Sequence, residues 1–157
     1  LVNDVLDLSR LEANMMKFQI QEYDAVALCN DAIYMARMRN EETIEIYFDT
    51  HIETQPITTD TGRLIQALVS TLTYPQKNTT HREITFTLTR DDSGKQICFR
   101  ISNSPLADPE FNSQEVSIRH DINRLLLQHF GGSYNITADE QERPVINFTY
   151  PLDIISE

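Results

Sequence analysis

Apolar positions along this chain recur with two periods, and the switches between them divide it into helices and strands. Over LVNDVLDLSRLEANMM, Leu1, Val5, Leu8, Leu11 and Met15 form one stripe at helical spacing. Val2 and Leu6 lie beside the stripe, with Asp4, Asp7, Arg10 and Glu12 mostly opposite. The pattern predicts a helix with a partner-seeking face, which either packs on its own domain or pairs with a second helix. Phe18 to Glu22 reads as a short strand. Asp24 then stands where it caps a helix carrying Val26, Cys29, Ile33 and Ala36 on one face and running to about Asn40.

Ile44, Ile46 and Phe48 alternate with Glu45, Tyr47 and Asp49, the period of a strand with one wet face. A short strand at Pro56 to Thr58 follows. Asp60 caps the next helix, whose apolar face of Leu64, Ile65, Leu68 and Leu72 runs up to Pro75. Ile84, Phe86 and Leu88, the turn residues Asp91 to Gly94, and Ile97, Phe99 and Ile101 spell a hairpin. Asn103 to Glu115, with Pro105 and Pro109, reads as a loop of about a dozen residues, long enough to suggest function or mobility. A helix over Ser117–Phe130 points Ile118, Ile122, Leu125 and Leu126 inward, and Gly131 ends it in the left-handed conformation. Ser133 to Thr137 and Val145 to Tyr150 close the chain as strands. Helices and strands mix without regular βαβ alternation, which predicts an α+β protein: a two-layer sandwich, a mixed sheet on about three helices.

Composition narrows what such a domain does. The 157 residues fit one domain, and 40% apolar with 24% charged side chains is ordinary for a globular protein. A net charge of −11 opposes a phosphate backbone, so no nucleic-acid partner is expected. Cys29 and Cys98 sit in apolar patterns and read as buried free thiols of a reducing compartment. No metal-ligand spacing stands out. No stretch reaches about 18 apolar residues, so no membrane span is expected. Leu1 falls inside an amphipathic pattern, as it would in a piece of a longer chain. There are only four glycines, Gly62, Gly94, Gly131 and Gly132, where average usage would give about eleven. Glycine-rich phosphate loops have almost no raw material.

Several stretches, in order, resemble the C-terminal half of a two-component sensor histidine kinase. LVNDVLDLSRLEANMM resembles the end of the second dimerisation helix and its link into the ATP-binding domain. Asp60-x-x-Arg63-Leu64-x-Gln66-x-Leu68 resembles the start of the family's N-box helix, His129-Phe130-Gly131-Gly132 the end of its glycine-lid helix, and Phe148-Thr149-Tyr150-Pro151-Leu152 its final strand. The resemblance implies the histidine kinase ATPase sandwich, with residues 1–17 as dimerisation helix and 18–157 as the ATP-binding-like domain.

The family's chemistry does not carry over with the pattern. The N-box asparagine that coordinates magnesium corresponds to Tyr74, its alanine to Pro75 and its lysine to Lys77. A phenol is a poor neutral oxygen ligand for a hard cation, and Pro75 inside a helix would cost about 3 kcal/mol. The first glycine box becomes Asn103-Ser104-Pro105-Leu106-Ala107 and the second Ser117-Ile118-Arg119-His120. What the resemblance leaves are residual positions: Asn103 for adenine, or simply for a turn hydrogen bond, and Lys77 or Arg119 for phosphates. Lys77, a lone lysine after a helix end, reads more readily as a solvated side chain. Arg119, near a helix start where the macrodipole favours acids, is placed to meet an anion. No catalytic or metal-ligating residue is assigned. The phosphoacceptor histidine should precede Leu1. His51, His81, His120 and His129 read as surface or packing residues, and the acidic pairs Glu41-Glu42 and Asp91-Asp92 as turns.

Two readings follow. In the first, this is a degenerate ATP-binding domain with no cofactor, acting through contacts: with itself as a dimer through the N-terminal helix, and with a partner histidine kinase or response regulator. In the second, it is a divergent but working kinase that binds ATP and Mg2+ and phosphorylates an upstream histidine. An ATPase of the wider fold superfamily, unrelated to signalling, is disfavoured by the opening helix. Either of the first two implies a cytoplasmic location, as the cytoplasmic part of a larger membrane-anchored sensor.

Overall fold

The structure, a computed structural model, describes residues 2–152. In chain order these form α1 (Val2–Glu12), β1 (Ile20–Asp24), α2 (Ala25–Asn40), β2 (Ile44–Thr50), β3 (Pro56–Asp60) and α3 (Thr61–Thr71). There follow β4 (Arg82–Arg90), β5 (Gln96–Ser102), two single 3-10 turns (Pro105–Ala107 and Pro109–Phe111), α4 (Gln114–His129), β6 (Ser133–Ala138) and β7 (Pro144–Pro151).

Period-2 alternation builds the main sheet. Its strand order is β2-β4-β5-β7-β6, with β2 and β4 parallel and the other pairs antiparallel. Ile84, Phe86, Leu88, Phe99, Ile101 and Phe148 point to one face and are fully buried under the helices, while Glu45, Glu83, Thr85 and Thr89 line the opposite, wet face. The result is the predicted α+β sandwich. β1 and β3 form a separate antiparallel pair.

The two N-caps also tie this small sheet to the helices. Asp24 accepts hydrogen bonds from Val26 N and Ala27 N at the start of α2, and from Gln55 N at 2.8 Å just before β3. Asp60 accepts from Arg63 N at 3.0 Å in α3 and from Gln19 N at 2.9 Å just before β1. Each carboxylate thus satisfies orphan helix donors and fixes a strand entry at once.

Three elements depart from the sequence reading. The first strand lies at Ile20–Asp24 rather than Phe18–Glu22. The last helix begins at Gln114 because Ser113 caps it, its Oγ accepting from Val116 N at 3.2 Å. Arg119 is therefore well inside the helix, and the expected conflict with the macrodipole does not arise. Residues 103–113 are no open loop: Ser104, Pro105, Leu106 and Phe111 are buried in consecutive proline-started turns.

α1 packs on α4 of its own domain, and does so by its acidic side. Asp4 pairs with Arg119, and Asp7 with Arg63 at 2.9 Å, its side chain only 10% exposed. Leu8 and Leu11 are half-buried beside them, whereas Val5 and Leu6 stand in solvent at 45% and 46% exposure. The expected stripe is thus split between the domain and water. Leu1 and the Val2 side chain lie outside the described residues, as do residues 153–157.

Candidate functional site

α3 stops at Thr71, three residues short of Tyr74-Pro75. Its last carbonyls would be orphaned there, and side chains from two other elements satisfy them. Asn40 Nδ2 donates to Leu72 O at 3.0 Å, and Ser104 Oγ donates to Thr71 O at 2.6 Å, both buried. Ser104 Oγ also accepts from Leu106 N at 3.2 Å, so one hydroxyl both closes α3 and starts the turn Pro105–Ala107.

That turn is fixed from the other side by α4. His120 Nε2 lies 3.1 Å from Leu106 O and Nδ1 2.7 Å from the Tyr134 hydroxyl. A carbonyl oxygen only accepts, so Nε2 carries the ring proton and Nδ1 accepts from the phenol. Burial lowers the pKa of His120 and raises that of Tyr134 to about 12, which keeps both groups neutral. Asn123 Nδ2 reaches Ser70 Oγ at 3.2 Å and links α4 directly to α3. Leu106, 3% exposed, belongs to the hydrophobic core, and its turn packs against α3 and β7.

Arg82 organises the outer side. Its Nη1 donates to Asn103 O at 2.9 Å and Asn103 Oδ1 at 3.0 Å, and its Nη2 pairs with Asp108. Asn103 Nδ2 donates to Glu83 O at 2.9 Å, and its backbone takes the left-handed φ of 64° that asparagine tolerates. The Arg82 guanidinium lies 5.7 Å from the Tyr74 ring centre and 6.0 Å from that of Phe111. Those two rings meet edge to face at 5.5 Å, and the Tyr74 hydroxyl donates to Thr80 O. A cavity of about 390 Å³ opens beside them, lined among others by Tyr74, Arg82, Asn103 and Phe111.

The three candidate residues are not brought together. Asn103 lines that cavity with its amide already bonded on both ends. Lys77 is exposed on a neighbouring recess lined by Arg39, Glu41 and Pro75. Arg119 faces a third recess, near Asp7 and Arg63, and is bonded to α1. Ser117 and Arg119, which stand at the glycine positions of the second box, are helical residues of α4. Arg82 escaped notice in the sequence, because an arginine opening a strand has no local signature; only the fold places it against Asn103.

No protein-family model matches this chain, and no curated protein sequence does. Solved structures do. The Acinetobacter baumannii histidine kinase AdeS matches 98% of this chain and 78% of its own, at TM-score 0.70 and 13% identity. The catalytic domain of histidine kinase ThkA, in a nucleotide-free form, matches 86% of this chain and 99% of its own, at TM-score 0.69 and 16% identity. Full-length ShkA in complex with AMPPNP matches at TM-score 0.70 and 19% identity, covering 99% of this chain but 36% of that larger protein. At such identities the likeness is one of fold. This chain has the fold of the sensor histidine kinase catalytic domain.

Proposed function

We propose that this chain is a degenerate catalytic domain of a sensor histidine kinase, impaired in Mg-ATP binding and acting in signal transduction through protein contacts. One observation carries the reading: the segment corresponding to the first glycine box is a buried plug, held to α3 by Ser104 and to α4 by His120. A nucleotide entering there would have to displace Leu106 and break both bonds. Asn103 Oδ1 already accepts from Arg82, so an adenine amino group would have to share that oxygen with a guanidinium. Tyr74, its hydroxyl held by Thr80 O, puts a neutral phenol, a poor ligand for a hard cation, at the position of the magnesium ligand. The residues present do not fit a magnesium–nucleotide complex.

Contact with partners is the role left to the fold. α1 is anchored by ion pairs and keeps Val5 and Leu6 in solvent, a helix face available to a second copy through the dimerisation segment 1–17. A partner kinase or a response regulator would sense that packing. No helix among the described residues is long and apolar enough to cross a membrane; the chain would be the cytoplasmic part of a membrane-anchored sensor.

Calorimetric titration of the chain with ATP and excess magnesium tests the reading. No saturable binding up to millimolar nucleotide is expected. Micromolar binding, or radiolabelled phosphate on an upstream histidine of the longer protein, would establish a working kinase instead.

A further inference from the structure

The wet face of the main sheet carries a cluster outside the site just described. β2 and β4 run parallel with Glu45 directly opposite Glu83, and His81 precedes Glu83 by two residues on the same face. His81 Nε2 lies 3.1 Å from Glu45 Oε1 and 3.7 Å from Glu83 Oε2. One ligand atom from each of the three residues lies within 4.8 Å of the others.

Like charges directly opposite one another on neighbouring strands repel, and a cation held between them would relieve that repulsion. Among the described residues no lysine or arginine pairs with Glu45 or Glu83; Tyr47 donates a hydrogen bond to Glu45, and the nearby Arg37 is spent on the Ile46 carbonyl. Among the described residues the basic group between the carboxylates is the His81 imidazole, whose Nε2 offers a metal a lone pair once its proton leaves.

We propose that Glu45, His81 and Glu83 form a binding site for a borderline divalent cation of the zinc type. Bonds of about 2.0–2.1 Å in a tetrahedron set ligand atoms about 3.4 Å apart, a spacing that the two observed nitrogen–oxygen distances bracket. One nitrogen and two carboxylate oxygens leave a fourth position open. An imidazole ligand selects zinc, nickel or copper over magnesium, which demands six oxygens. Two ligands sit on paired strands and are held in register by the sheet. Bound metal would tie the edge strand β2 to the segment between α3 and β4. Sequence spacing does not reveal the site, because 36 residues separate Glu45 from His81.

The test is a titration of the chain with zinc chloride at neutral pH, followed by calorimetry and by the histidine ring signals in proton NMR. One saturable site is expected, with the His81 ring signals moving first and a large excess of magnesium chloride failing to displace the zinc. His81→Ala and the double variant Glu45→Gln with Glu83→Gln should each lower the affinity on the order of tenfold or more, while the exposed His51→Ala leaves it unchanged. Far-UV circular dichroism checks that the variants fold. Absence of saturable binding below millimolar zinc overturns the site. So does unchanged affinity in His81→Ala, or a loss in His81→Ala that the carboxylate variant does not share.

Discussion

Arg82 holds Asn103 with a single nitrogen, Nη1 reaching both the carbonyl oxygen at 2.9 Å and the side-chain oxygen at 3.0 Å. The same guanidinium pairs with Asp108 and lies against Tyr74 and Phe111, so it joins the start of β4 to both proline turns. Its side chain is 13% exposed and that of Asp108 22%. Removing it in Arg82→Ala leaves a half-buried carboxylate and the two Asn103 oxygens without their donor, for an expected loss of about 2 kcal/mol. A lower urea midpoint at unchanged slope is the measurement. Arg143→Ala is the control: that side chain is 54% exposed, its partner Asp139 keeps hydrogen bonds from Gln141 N and Arg143 N, and the loss should stay below about 1 kcal/mol.

The docking of α1 gives a second prediction. Asp7, the more buried of the two carboxylates that hold the helix, lies between Arg10 and Arg63, and its loss removes one of the two ion pairs to the rest of the domain. Asp7→Asn should weaken docking rather than folding. Trypsin should then cut faster at Lys17, which is exposed in the connection to β1. A double-mutant cycle between Asp7 and Arg63 should return a coupling of about 1 kcal/mol, shrinking as salt is raised. Unchanged cleavage at Lys17 would mean that Leu8, Leu11 and the Asp4–Arg119 pair hold the helix down without Asp7.

How much of this was legible before folding follows from which forces are local. Asp24, Asp60 and Gly131 act within their own turns, so caps and boundaries followed from the sequence to within a few residues. The hairpin of β4 and β5 was equally plain, because alternation and turn chemistry agree. α1 was misjudged in part. Its apolar stripe suggested the buried face, yet Asp4 and Asp7 find arginines that lie 115 and 56 residues away, and charge pairing outweighs Val5 and Leu6. Asn103 to Glu115 was legible as proline-rich but not as buried, since the burial of Leu106 comes from packing on α3 and β7, which are remote in sequence. Of the candidate ligands, Asn103 and Arg119 are both engaged by partners remote in sequence, which no local pattern announces.

His120 predicts a pH dependence. Its folded pKa is depressed by burial, so the unfolded chain binds the proton first as pH falls. The stability it contributes is complete above the unfolded value near 6.5 and is lost as pH drops from there through the folded value. The slope cannot exceed about 1.4 kcal/mol per pH unit for one proton. Urea midpoints of the wild-type chain should fall between pH 7.5 and 5.5, above the range where carboxylates titrate. His120→Gln, which keeps a donor for Leu106 O and a partner for the Tyr134 hydroxyl, should flatten that dependence. An equal slope in both would assign the proton elsewhere.

Gly131 and Gly132 separate glycines kept for folding from those a nucleotide would need. Gly131 follows α4 with φ +82°, and a side chain there would meet nothing closer than Pro151 at 3.7 Å. Gly131→Ala therefore pays only left-handed strain, about 1–2 kcal/mol. Gly132 has ordinary φ but passes so close to β7 that a Cβ would lie 2.0 Å from the Thr149 carbonyl oxygen and 3.3 Å from Leu127. Its own N–H donates to Leu127 O at 2.8 Å, which leaves the turn no room to move away. Backbone cannot yield as a side chain does, so Gly132→Ala should cost more than Gly131→Ala, about 3 kcal/mol or above. Thermal unfolding of the two variants side by side orders them, and a Gly132→Ala chain as stable as Gly131→Ala would show that β6 can shift off β7.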